Sequence, residues 1–346
     1  MTRVLVARLD SMGDVLVSGP AVRAVAAAGH EVVFLAGPQG AAAARLLPGV
    51  AEVRVLAAPW QTATGRPVDH DLVEEVETLV GSTGVDRAVL LTSFHQSPLP
   101  LALLLRIAGV RDIIGASTDT AGGLLDVRLI PGEDFPEDQP EPLRALAIAR
   151  AAGYALPEGD DRLAVQVPEG RSSHAPEGGY VVVHPGAAVP AREYPADLHG
   201  AVVAELADRG RTVLVTGAPA ERDLTARVAG GRGVDLGGAL DLEGLAVLLR
   251  DADAVVTGNT GPAHLAAAVG TPVVSLFSPV VPPIRWAPWG VPVELLGQQD
   301  AACRGTRARV CPVAGHPCLA SVPPSEVADA ADRLIGAAAA GIGRAS

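Results

Sequence analysis

The chain alternates short, almost continuous apolar runs with longer stretches in which apolar residues recur at helical spacing. "VLVARL" (4–9), "EVVFLAG" (31–37) and "VDRAVLLTS" (85–93) read as buried strands, while "VSGPAVRAVAAAG" (17–29) and "PLALLLRIAG" (100–109) read as helices. Strands that lack polar alternation and are separated by helices predict a mainly parallel sheet covered on both faces. The pattern restarts with "YVVVHPG" (180–186), "AVVAELADRG" (201–210), "TVLVTG" (212–217), "LEGLAVLLRDA" (242–252), "AVVTG" (254–258) and "PVVSLF" (272–277). Two doubly wound α/β units in succession are therefore expected. The segments "PGEDFPEDQPEP" (131–142) and "VPEGRSSHAPEGG" (167–179) are rich in proline, glycine and charge, and "LRALAIARAAGYAL" (143–156) between them reads as helical. The boundary falls near 165–178, giving an N-terminal domain over 1–167, a second over 178–324 and a closing helix over 325–346 with Ser325 as its N-cap. No short-period tandem repeat is present.

Length agrees with this division, because 346 residues suit two cores better than one. Acidic residues outnumber basic ones 39 to 27, and the net charge of -12 argues against nucleic acid or an anionic bilayer as a default partner. Every basic residue is arginine. An anionic ligand would have to be met by arginine or by backbone N–H groups. The first strand-like run starts at Arg3, leaving no room for a signal peptide, and no apolar run approaches the ~20 residues that span a bilayer. A soluble, cytoplasmic protein is expected, with peripheral membrane contact left open. Cys303, Cys311 and Cys318 sit in one late segment and cannot all pair with one another, so no disulfide framework is expected.

Three turns carry candidate chemistry. In "VVTGNTGPAHLAAAVG" a strand passes through small residues into a helix, where Thr260 or Gly261 can cap, Pro262 fits the first turn and free N–H groups suit a phosphate. His264 lies about one turn further on. In "LDSMGDVLVSGP" Asp10 and Asp14 flank a glycine at another strand end; a carboxylate there could take a proton from a hydroxyl, and could equally cap the helix. In "VVVHPGAAVPAREYP", Arg192 follows a strand end and can fork onto a phosphate. The Walker and dinucleotide-binding glycine patterns are both missing. "DHD" (69–71) and "DAD" (251–253) spell the D-x-D of metal-dependent glycosyltransferases but read better as helix ends, and the Cys/His segment "CRGTRARVCPVAGHPC", containing His316, lacks the paired C-x-x-C of a zinc site.

Taken together, "VLVARLDSMGDVLVSGPAVRA", "HPGAAVPAREYP", "VLVTGAPAERD", "NTGPAHLAAAVGTPVVSLFSP" and "CRGTRARVCPVAGHPCL" resemble, in order, the motifs of glycosyltransferase family 9, the heptosyltransferase-like enzymes. The resemblance implies GT-B architecture, two Rossmann-like domains facing a central cleft, and an ADP-sugar donor, typically a heptose, used with inversion and without a metal. It implies Asp14 as catalytic base, Glu221 on the donor ribose, Leu240 against adenine, and Arg192, Asn259, Thr260, Gly261 and His264 around the diphosphate. Arginine replaces the family's usual lysine at 192, asparagine its frequent aspartate at 259, and Ala187 and Ala188 stand where a hydroxyl residue is frequent. On the acceptor side, Asp10, Ser93, His95, Gln96 and Ser97 are candidates, the last four following a strand of the first domain. A glycan or small-molecule acceptor is expected. Two rivals share the architecture: a sugar-nucleotide 2-epimerase, which needs no acceptor, and a non-catalytic nucleotide-sugar binder, in which Asp14 is dispensable.

Overall fold

The computed structural model describes residues 2–61 and 66–341, and the chain divides into two units between Gln166 and Val167. The first unit runs β1 (Arg3–Arg8), α1 (Met12–Val17), α2 (Gly19–Ala27), β2 (Glu31–Ala36), α3 (Ala41–Leu46), β3 (Val50–Val55), α4 (His70–Thr83), β4 (Arg87–Leu90), α5 (Leu99–Ile107), β5 (Asp112–Ala116), β6 (Val127–Leu129) and α6 (Glu141–Ala151). Its sheet is parallel in the order β3-β2-β1-β4-β5-β6. Val4, Leu5, Val6 and Ala7 of β1 are all buried, as a central strand covered on both faces requires.

The second unit repeats the plan: β7 (Tyr180–His184), α7 (Ala196–Asp208), β8 (Thr212–Gly217), α8 (Arg222–Ala229), β9 (Val234–Gly237), α9 (Leu242–Arg250), β10 (Ala254–Gly258), α10 (Gly261–Ala268), β11 (Val273–Leu276), α11 (Pro283–Trp286), β12 (Val293–Leu296), α12 (Pro317–Ala320) and α13 (Pro324–Ala339). Its parallel order, β12-β11-β10-β7-β8-β9, is that of the first sheet read from the other edge. Each sheet therefore reverses its winding beside its first strand, between β1 and β4 and between β7 and β10. Crevices beyond the carboxyl ends of such strands are where open α/β sheets bind ligands.

Local details depart from the sequence reading. The helix expected over 17–29 is two helices meeting at Ser18, because Pro20 has no N–H to continue the ladder begun at Met12. Ser18 closes the joint by donating its hydroxyl to the Asp14 carbonyl at 2.9 Å. The closing helix starts at Pro324, with Pro323 rather than Ser325 in the capping position. Proline's fixed φ suits the first helical position, so the chain enters the helix before the serine. Val327, Ala331 and Leu334 of α13 join the core of the second unit, together with Cys303 and Cys318. The expected extension of this helix to 346 runs into residues outside those described.

Of the two D-x-D triplets, Asp69 caps α4 by accepting from Leu72 N at 3.2 Å. Asp251 ends α9 and pairs with Arg250. Among the described residues no helix is long and apolar enough to cross a membrane.

Candidate functional site

At the carboxyl end of β1 the apolar strand closes on Arg8, whose side chain is only 2% exposed. Its guanidinium meets three carboxylates from three different elements. Nε lies 2.6 Å from Asp10 Oδ2 in the following turn, Nη2 donates to Asp14 Oδ1 on α1 at 2.9 Å, and Nη1 lies 3.7 Å from Glu141 Oε2 on α6. Nη2 also donates to Ser93 Oγ after β4, and that hydroxyl in turn donates to Glu141 Oε2 at 2.6 Å. Gln96 completes the ring: its Nε2 donates to Asp10 Oδ1 at 2.6 Å while its Oε1 accepts from Ser93 N at 2.8 Å. The first switch point thus gathers Asp10, Asp14, Ser93 and Gln96 around one buried cation.

The carboxylates are not equivalent. Burial pushes the Asp10 and Glu141 carboxyls above their usual range, and the attraction of Arg8 only partly offsets it. Arg8 itself loses solvation, but the three carboxylates more than compensate and hold its proton more firmly than usual. Asp14 has the most exposed of the three carboxylates, 18% against 10% for Asp10 and 2% for Glu141. Its Oδ2 accepts from Ser11 Oγ at 2.6 Å and Ser11 N at 3.2 Å, so the side chain also ties down the start of α1. Oδ1, with Arg8 as its one donor, keeps a second lone pair with which to meet an incoming hydroxyl, whereas Oδ2 is engaged by both Ser11 donors.

Other acceptor-side candidates lie on the same loop without joining this ring. The Ser97 hydroxyl accepts from Leu99 N at 3.3 Å, at the entrance of α5. His95 is exposed, holds a positive φ of 66° and packs its ring against that of Phe94, with centroids 3.6 Å apart and the planes tilted by 54°. Ser93 is 4% exposed and its hydroxyl is spent inside the ring, so its contacts are with Arg8 and Glu141. Arg8 and Glu141 are the members that the sequence reading passed over. Arg8 left a signal, an arginine ending an otherwise apolar run just before Asp10 and Asp14. Glu141 left none, because it lies in a proline-rich acidic stretch that reads as solvated linker.

The second unit builds its site at the corresponding strand ends. After β8 a short turn, Pro219–Glu221, brings the Glu221 carboxylate back to accept from Ala218 N at 2.7 Å. The carboxylate lies directly over Gly186, after β7, where an added Cβ would stand 2.0 Å from Glu221 Oε1. Only a residue without a side chain leaves that space open. The turn Pro190–Arg192 packs on the end of β10, since a Cβ at Gly258 would stand 3.1 Å from the Arg192 carbonyl oxygen. Arg192 thereby borders the segment Asn259–Gly261 that enters α10.

That entrance differs from expectation in one donor. Thr260 occupies the capping position, with Pro262 in the first turn, but the Thr260 N–H is spent on the Gly258 carbonyl at 2.9 Å. The free backbone donor is the N–H of Gly261, which makes no hydrogen bond among the described residues. Asn259 is 5% exposed, and its Oδ1 accepts from Ser278 N at 3.4 Å while its Nδ2 has no partner. His264 is buried on α10, and Leu240 is half-buried ahead of α9. Two further histidines of the second unit are buried. His184, at the end of β7, has Nδ1 3.0 Å from Thr216 Oγ1, and burial lowers its pKa to about 4 against the opposing Glu221 carboxylate. His199 on α7 packs edge-on against Tyr194, has no partner for either ring nitrogen, and is lowered to about 3 by burial and by His184.

The three cysteines are free thiols, Cys303 and Cys318 within the core and Cys311 against it. Burial, then the neighbouring Cys303, pushes the Cys318 thiol up to about 11, so it is a poor metal ligand or nucleophile. Among the described residues no cluster of three or more His, Cys, Asp or Glu side chains is arranged to hold a metal ion.

Comparison with known proteins gives a consistent result. The family model described as glycosyltransferase family 9 (heptosyltransferase) matches residues 85–315. Lipopolysaccharide heptosyltransferase 1 of Pseudomonas aeruginosa is 29% identical over 307 residues, 81% of this chain and 79% of its own. E. coli ADP-heptose LPS heptosyltransferase II superposes with a TM-score of 0.74 at 20% identity, covering 98% of this chain and 100% of that one. E. coli heptosyltransferase WaaC with ADP-2-deoxy-2-fluoro heptose gives 0.69 at 20% identity, covering 97% and 99%. The likeness to the two solved structures is one of fold, the two-domain GT-B architecture.

Proposed function

The chain belongs to glycosyltransferase family 9, the heptosyltransferases, and we propose that it transfers a sugar, a heptose, from an ADP-sugar to an acceptor hydroxyl with inversion and without a metal ion. In this reading the first unit supplies the base and the second holds the donor. Asp14 takes the proton of the acceptor hydroxyl as its oxygen attacks the anomeric carbon, and the bond to the diphosphate breaks on the opposite face. Charge that develops on the departing ADP is met by the Arg192 guanidinium, the Gly261 N–H, the Thr260 hydroxyl and His264. Glu221 accepts from the ribose hydroxyls and Leu240 lies against adenine. A glycan or small-molecule acceptor and a cytoplasmic location belong to the same reading.

The observation that supports the donor half is the placement of the Glu221 carboxylate and the unpartnered Gly261 N–H beyond the carboxyl ends of β8 and β10, the two strands that flank β7. A ribose acceptor beside a phosphate donor is what a nucleoside diphosphate needs. The test is a thermal-shift series at equal concentrations of ADP, ADP-heptose and their UDP and GDP counterparts, since a ligand of the native state raises stability by mass action. ADP compounds should give the largest shift; a larger one with UDP or GDP sugars removes the ADP assignment. Products from ADP-heptose, with and without a panel of glycan acceptors and with and without chelator, then read transfer, anomeric configuration and metal need together.

Gly186 offers a sharper check on Glu221. In Gly186→Ala the new methyl occupies the space of the carboxylate, which must swing away from the strand ends. ADP affinity measured by calorimetry should fall roughly tenfold, the equivalent of one charge-assisted hydrogen bond. Unchanged affinity in a folded variant would take Glu221 out of the donor site.

A further inference from the structure

We infer that Ser93, on the loop after β4, is a positioning residue for the transfer: it fixes the plane of the Arg8 guanidinium and so aims the Asp14 carboxylate. The inference rests on Asp14 being the base. Among the described residues, two side chains take a directed hydrogen bond from Arg8. Nη2 carries two hydrogens, of which one goes to Asp14 Oδ1 at 2.9 Å and the other to Ser93 Oγ. Asp10 Oδ2 lies closer, 2.6 Å from Nε, yet the Nε–H is not directed at it and neither atom has a hydrogen-bond partner. Glu141 Oε2 stands 3.7 Å from Nη1, beyond hydrogen-bonding reach. These two carboxylates attract the cation, but a Coulombic attraction without a hydrogen bond sets no angle.

A guanidinium is planar, so a fixed acceptor on one Nη2 hydrogen determines where the other points. Ser93 is itself held twice. Its hydroxyl proton goes to Glu141 Oε2 at 2.6 Å, which turns a lone pair toward Arg8, and its backbone N–H donates to Gln96 Oε1 at 2.8 Å. Glu141 serves in either protonation state, because a protonated carboxyl keeps a carbonyl oxygen with which to accept. At the far end of this relay Ser11 holds Asp14 Oδ2, and Oδ1 is the oxygen with a lone pair to spare. Loosening Arg8 therefore displaces the oxygen that meets the acceptor. Ser93 is 4% exposed, so it acts through Arg8 and not on the acceptor itself.

The experiment is a double-mutant cycle in the full chain, read by ADP release from ADP-heptose with water as acceptor. Ser93→Ala removes one hydroxyl and leaves the Ser93 N–H on Gln96. Its kcat should fall about tenfold at unchanged KM for ADP-heptose, as for a misplaced reacting group. Ser93→Thr, which restores the hydroxyl, should recover most of the loss. Ser93→Cys, similar in size but a weak acceptor, carries the test if the alanine variant does not fold. On the Asp14→Asn background the same change at 93 should cost nothing further. An equal fall on both backgrounds means that Ser93 acts on the structure at large, and overturns the proposal. An unchanged kcat in Ser93→Ala beside a large fall in Asp14→Asn overturns it too, and leaves Asp14 as the base. If Asp14→Asn itself keeps full ADP release, the base reading fails and takes this inference with it, a pattern distinct from the other two.

Discussion

Asp14→Asn is expected to lower single-turnover glycosyl transfer by ~10²–10⁴-fold, the usual contribution of a positioned base, while ADP affinity changes little. The amide keeps the size of the carboxylate but cannot take the acceptor's proton. Its effect on stability also follows from the contacts. Oδ1 faces an Arg8 donor and Oδ2 faces two Ser11 donors, so whichever way the amide turns, its NH₂ meets another donor. Asp14 further stands in the first turn of α1, where a negative charge is favourable. A loss of about 1–2 kcal/mol on denaturation should accompany the loss of transfer. A purely structural Asp14 predicts that loss with near-normal turnover, in which case Asp10 becomes the carboxylate to examine. Donor affinity separates the two units: the proposed phosphate and ribose contacts lie in the second, so a large fall in ADP binding would mean that the variant has unfolded more than its own helix start.

Why the sequence disclosed the architecture and only part of the site follows from the range of the signals. Strands such as Val4–Ala7 and Val181–Val183 are buried on both faces, and the resulting apolar runs are visible in any short window. The edges of each sheet are different. β3 is half exposed and carries Glu52 and Arg54, and β6 is three half-buried residues, so neither has a readable period. The candidate site divides in the same way. Asp14, Thr260 and Gly261 sit in turns whose residue types announce a strand end and a helix start. Arg8 looks like a strand residue in the wrong place until the sheet order puts the loop after β4 beside it. Glu141 and Ser93 are 48 residues apart in sequence, and their contact exists because α6 packs over β4, while the adjacency of β4 and β1 brings both to Arg8. The Thr260 N–H is lost to the site for a local reason: the tight turn from Gly258 consumes it, and residue types alone do not reveal that.

Lowering the pH is expected to weaken the second unit well before the first. His184 and His199 are buried neutral in the fold, with pKa values of about 4 and about 3, against an ordinary value near 6.5 in the unfolded chain. Between these limits the unfolded state binds protons that the folded state refuses, so stability is complete above about pH 6.5 and falls as the pH drops toward the folded values. By pH 5 the loss is about 2 kcal/mol for each ring, which for a domain of this size moves the melting temperature down by roughly 10 °C for the pair. The first unit behaves oppositely over the same range. Burial raises the Asp10 and Glu141 carboxyls, so that the folded state takes up protons more readily than the unfolded one, and acid stabilises it at those positions. Asp126 in the first unit and Asp332 in the second are both held low, Asp126 by the Ile113 N–H and Arg106 and Asp332 by Arg209 and Arg211, and their losses begin only in the carboxylate range. Hydrogen exchange read segment by segment at pH 5 and pH 8 should therefore show α7, β7 and β8 losing protection while β1 and α6 keep theirs. His199→Phe supplies the decisive variant. The ring retains its edge contact with Tyr194, and the two unpartnered nitrogens are gone, each of which costs about 1–3 kcal/mol when buried unsatisfied. Stability should rise at both pH values and rise more at pH 5. An equal gain at both would show that His199 takes up no proton on unfolding, and would leave His184 as the acid-sensitive group of the second unit.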